Sequence, residues 1–152
     1  MFFSKEKIYS PIKGIVKPIE EAPDKVFSQK IMGDGCCIEP EEGIVVSPVN
    51  GIIATVFPTK HMIGIKSQKG YEIIIHVGMD TVSLNGEGLT ALVDVGDKVK
   101  VGDKLLEIDI EKIKDKVPSL VTPIVITNLV NKNVRLIKEG KVDRGELIID
   151  IK

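Results

Sequence analysis

Short runs rich in Ile, Val and Thr recur along the whole chain, and each meets Gly, Pro, Asn or Asp before it reaches helical length. The runs cover 14–18, 42–48, 52–57, 61–66, 71–77, 89–93, 104–109, 123–127, 134–138 and 146–151. Asn50-Gly51, between two of them, is a two-residue hairpin signal, because both residues tolerate the positive φ that such a turn needs. This punctuation predicts an all-β fold, an antiparallel β-sandwich or barrel. Helical signals are confined to 23–29 and to 110–116, which Pro118 closes, so one or two short helices are expected. The two Val-Gly-Asp steps within 95–103 read as a turn-rich crossing between strands. With no linker or low-complexity stretch, the expectation is one domain over 10–152, preceded by a short N-terminal tail at 1–9.

Composition narrows the function. At 43% hydrophobic and 28% charged, the 152 residues suffice for one sizeable core. A net charge of −1 offers no basic footprint for nucleic acid and no polybasic membrane anchor. With 4% aromatic residues and no Trp, a stacking platform for bases or sugars is not expected. No apolar run approaches the ~20 residues of a membrane span, and the first residues lack the apolar stretch of a secretory signal. A soluble, cytoplasmic protein without direct membrane insertion is expected. Adjacent Cys36 and Cys37 are poorly placed to bridge each other, and one buried and one surface thiol, both reduced, are expected.

The chain has two histidines, and both flank one hairpin. The polar stretch 67–70 separates a run beginning at His61 from a run ending at His76. A turn centred between Gln68 and Lys69 predicts that Ile63 faces Ile74 and that His61 lies directly opposite His76. Opposed residues share a face with Cβ atoms ~4.5–5.5 Å apart, whereas a slip of one residue is expected to separate the rings. Alternation puts Tyr71, Ile73, Ile75 and Val77 toward the core, and Glu72, Ile74 and His76 on the opposite face. A neutral imidazole is a competent nucleophile toward phosphorus near neutral pH, and a second ring beside it can donate to the transferring oxygens. The same pair can also form half of a zinc site, but such a site wants three or four protein ligands and no third histidine exists.

Several motifs of the chain resemble the glucose-type enzyme IIA domain of the bacterial phosphoenolpyruvate:sugar phosphotransferase system. They are Ser10-Pro11-Ile12-Lys13-Gly14, Lys30-Ile31-Met32-Gly33-Asp34-Gly35, Phe57-Pro58-Thr59-Lys60-His61, the block from Ile75-His76-Val77-Gly78 to Gly88, and Thr122-Pro123-Ile124-Val125-Ile126-Thr127-Asn128. The resemblance implies a β-sandwich with a shallow site on one face. It implies that His76 accepts a phosphoryl group from phospho-HPr and passes it to a cysteine of a permease IIB domain, so that the protein is a phosphotransferase. His61 would stabilise the transfer and Thr59 would support it with a hydrogen bond. Val26, Phe27, Phe57, Ile74 and Val82, with Asp24 and Asp80, would form the docking face. Ile74 stands where the family often has an aromatic, and few residues precede Ser10, where the family often has a longer tail. No cofactor and no resident metal are expected, with His61 and His76 a half-site that a partner's carboxylate could complete with zinc.

Other readings make distinct demands. The His76-x-x-x-Asp80 spacing fits two ligands of a zinc peptidase, which would still need a further ligand and a general base. A lipoyl or biotinyl carrier needs a lysine at a hairpin tip between Met or Ala residues, and no lysine here has those flanks. A regulatory role toward other proteins, through the same face in the unphosphorylated state, is compatible with the carrier reading.

Overall fold

The computed structural model describes residues 5–152. Its strands are β1 (Glu6–Tyr9), β2 (Gly14–Pro18), β3 (Asp34–Pro40), β4 (Ile44–Val46), β5 (Gly51–Val56), β6 (Met62–Ser67) and β7 (Glu72–His76). After these come β8 (Leu89–Ala91), β9 (Lys98–Val99), β10 (Lys104–Ile108), β11 (Thr122–Ile126), β12 (Val134–Leu136), β13 (Gly140–Val142) and β14 (Leu147–Ile151). Two four-residue helices, α1 (Lys25–Ser28) and α2 (Ile110–Ile113), fall inside the two segments with helical signals.

An eight-stranded antiparallel sheet runs in the order β13-β2-β3-β11-β7-β6-β5-β9. Two three-stranded sheets, β1-β14-β12 and β4-β10-β8, share one core with it. The antiparallel all-β architecture with two short helices is therefore the one that the punctuation predicts. Residues 6–9, expected to lie in an N-terminal tail, pair with β14 as β1, and Ile8 is fully buried. Residues 1–4 lie outside the described part.

Strand alternation divides the large sheet into two apolar faces. Ile73 and Ile75 of β7 and Ile124 and Ile126 of β11 enter the main core, each contributing about 1.5–3 kcal/mol of transfer free energy. The opposite face carries a smaller cluster of Ile19, Ala22, Phe27, Cys37, Met79 and Val125, with Ile74 packed against it. Neighbours in a strand point to opposite sides, so Cys36 faces the main core and Cys37 the smaller one. Both are fully buried, which corrects the expectation of one surface thiol. Burial raises both thiols, Cys37 to about 11 and Cys36 further, leaving them protonated and unreactive at neutral pH.

Candidate active site

Both histidines sit at the open end of the β6–β7 hairpin, in the middle of the large sheet. The ladder pairs Met62 with His76, Ile63 with Ile75 and Lys66 with Glu72. This is one residue away from the register that the turn composition suggests, yet the rings are adjacent, with centroids 5.1 Å apart and planes at 83°. His61 escapes the alternation rule because it precedes β6. It closes a turn in which the Lys60 amide donates to the Phe57 carbonyl at 2.8 Å and Lys60 takes a φ of 60°. The His61 carbonyl then accepts the Val77 amide at 2.7 Å, which fixes its backbone beside the end of β7.

Each ring is held through Nδ1. That of His76 donates to the Gly78 carbonyl at 2.8 Å, a bond that places its free lone pair on Nε2. That of His61 lies 2.6 Å from the Thr59 hydroxyl oxygen. If the hydroxyl donates, the neutral ring carries its proton on Nε2 and can offer it to a bound anion. Among the described residues neither Nε2 has a hydrogen-bond partner.

Four rings stand in file: Phe57 meets His61 at 5.5 Å, His61 meets His76, and Phe27 meets His76 at 5.0 Å. These apolar flanks keep both imidazoles neutral. Burial lowers the His76 pKa below 6.5, against smaller upward pulls from the Gly78 hydrogen bond and the Asp24 charge. Burial, and then the neighbouring His76, lower that of His61.

The expected docking residues fall into two groups. Val26, Phe57 and Val82 are exposed at 40%, 37% and 50%, and Ile74 is half-buried. Phe27 is only 3% exposed and backs His76 from below, which corrects its expected place on the surface. Asp24 is exposed and caps α1, its carboxylate accepting the Val26 amide at 2.8 Å. Asp80 is exposed in a left-handed conformation at the head of the 3-10 turn Thr81–Leu84. Ile31, 68% exposed and bonded through its amide to the Val26 carbonyl, is a further apolar residue here that strand and helix periodicity do not single out. Gly78 has a role beyond its turn, since its carbonyl orients His76.

A groove of about 560 Å³ lies elsewhere, between Lys5, Tyr9, Asn50, Lys69, Val101 and Lys152. Among the described residues no group of three or more His, Cys, Asp or Glu comes together that could hold a metal ion. Asp80 therefore does not complete the ligand set that a zinc peptidase needs.

Residues 6–132 match the family model described as phosphoenolpyruvate-dependent sugar phosphotransferase system, EIIA 1. The chain belongs to this family. It is 53% identical over 124 residues to the glucose-specific EIIA component of Halalkalibacterium halodurans, covering 82% of this chain and 72% of that protein. It is 46% identical over 145 residues to the glucose-specific EIICBA component of Staphylococcus carnosus, covering 95% of this chain but 22% of that longer protein. The glucose permease IIA from Mycoplasma capricolum superposes with a TM-score of 0.92, at 38% identity and 99% coverage of both chains. The protein is thus a phosphotransferase component, and its general function is that of its family, a phosphocarrier between HPr and a IIB domain. No helix of the described residues is long and apolar enough to cross a membrane.

Proposed function

We propose that His76 is the phosphoryl acceptor and that His61 supports the transfer. The observation that carries this reading is the Nδ1 bond of His76 to the Gly78 carbonyl, which leaves Nε2 as the nucleophile beside a second imidazole. Phospho-HPr docks on the apolar surface of Val26, Phe57, Ile74 and Val82. The Nε2 lone pair of His76 attacks phosphorus in line, the phosphorus–nitrogen bond of phospho-HPr breaks, and its electron pair returns to the donor imidazole. In the second step a IIB cysteine thiolate attacks the phosphorus, and the bond to His76 Nε2 breaks in turn. His61, held by Thr59, donates from Nε2 to the phosphoryl oxygens, whose charge must be carried through both steps.

Because each step breaks a labile phosphorus–imidazole bond, neither calls for a nucleotide or a resident metal. The protein works in the cytoplasm, where phospho-HPr is available. When His61 instead carries its proton on Nδ1, with the Thr59 hydroxyl as acceptor, the two Nε2 lone pairs make half of a tetrahedral zinc site, which a partner's carboxylate would complete. The same exposed apolar surface, with His76 unphosphorylated, is the one regulatory target proteins would use.

The test is a reconstituted relay of phosphoenolpyruvate, enzyme I, HPr, this chain and membranes bearing a glucose-type permease. Sugar phosphorylation should require this chain and stop with His76→Ala. Undiminished phosphorylation with that variant would refute the assignment.

A further inference from the structure

The orientation of His76 depends on Gly78, a residue with little stiffness of its own. Gly78 sits at φ 63°, and the peptides on either side of it are held from outside. On one side the Met79 amide donates to the Ser119 carbonyl at 2.9 Å. On the other, the Gly78 amide donates to the Thr122 hydroxyl oxygen at 3.3 Å. That hydroxyl in turn donates to the Leu120 carbonyl at 2.9 Å. Between these two anchors the Gly78 carbonyl is left to face His76 Nδ1.

Thr122 is an odd residue for its position. All five residues of β11 are buried, and the other four, Pro123 to Ile126, are apolar. Packing alone would be met by valine, which has the same shape and no polar atom to satisfy. We propose that Thr122 is a positioning residue for phosphoryl acceptance. Its hydroxyl fixes the peptide before Gly78, and with the following peptide held by Ser119 this sets the Gly78 torsions that point its carbonyl at His76 Nδ1 and keep Nε2 unprotonated. The inference rests on His76 being the acceptor, but the ring tautomer can be read without any phosphorylation.

The experiment compares the unmutated chain, Thr122→Val and Thr122→Ser with labelled imidazole nitrogens. Long-range proton–nitrogen NMR correlations report which His76 nitrogen carries the proton, and phospho-HPr supplies the rate of acceptance. Thr122→Val should move part of the proton from Nδ1 to Nε2 and slow acceptance about tenfold, since a misplaced tautomer disables the nucleophile. Thr122→Ser should restore both. An unchanged tautomer in Thr122→Val, whether or not the rate falls, would overturn the proposal, as would a serine variant that restores neither. If Thr122→Val does not fold, hydrogen exchange of the unmutated chain decides: the Gly78 amide should be strongly protected, and fast exchange would overturn the contact. Should His76→Ala still be phosphorylated, the acceptor assignment fails, while the tautomer result stands separately.

Discussion

The His61 and His76 rings meet edge to face with centroids 5.1 Å apart, although the ladder pairs His76 with Met62. The contact is made possible by the turn ahead of β6, which frees His61 from strand alternation while the Val77 amide ties its carbonyl to β7. The two rings thus arrive from different local geometries, one from a strand end and one from a turn, and they are free to take different roles.

Those roles separate in the His61→Ala variant. His76 keeps its nucleophile and its Gly78 bond, so acceptance from phospho-HPr should persist in part. Onward transfer to IIB should fall by about a hundredfold, the usual cost of losing one transition-state donor. Rapid-quench measurement of the two steps checks this, and equal loss in both would contradict the division of labour.

Thr59 should act through His61. Thr59→Val removes the hydroxyl 2.6 Å from Nδ1 and frees the ring to change tautomer. Onward transfer should drop about tenfold and return with Thr59→Ser, as expected when a support rather than the donor itself is lost. Single-turnover transfer to a IIB domain reads the difference.

Gly78 tolerates no side chain. At φ 63° a Cβ would lie 2.9 Å from both the Ser119 carbonyl oxygen and the Thr81 methyl carbon. Gly78→Ala should lower unfolding free energy by about 1–3 kcal/mol, the cost of a strained backbone position. Urea unfolding monitored by circular dichroism measures it.

Acid should weaken the fold through the histidines. Their folded pKa values lie below 6.5, so the unfolded chain binds more protons once the pH falls beneath that value. The stability they confer is complete above pH 6.5 and is lost as the pH drops toward their folded pKa values. Urea midpoints between pH 7.5 and pH 5 should therefore decline, and less steeply in His76→Gln.

Much of the fold is legible in the residues because burial enforces the pattern. The β7 run declares both its faces, with Ile73 and Ile75 inward and Glu72, Ile74 and His76 on the other side. β3 carries no such pattern: Asp34–Pro40 contains one β-branched residue, Ile38, and earns its place between β2 and β11 through burial on both faces of Cys36 and Cys37. Hairpin composition brings His61 and His76 to the same hairpin end but misses the register by one residue, and the rings meet only because the turn at Lys60 takes His61 out of strand alternation. Phe27 illustrates a separate limit. Its helix is visible from Pro23 and Asp24 onward, but a four-residue helix has too little periodicity to show which residue turns under the sheet face.

Phosphoryl transfer through this chain requires that one phosphoryl group reside on His76. Intact mass spectrometry after incubation with phosphoenolpyruvate, enzyme I and HPr tests it most directly, before and after brief acid treatment. One added phosphoryl group that acid removes is expected, present in His61→Ala and absent in His76→Ala. A phosphoryl group that survives acid, or one that His76→Ala still acquires, would contradict it.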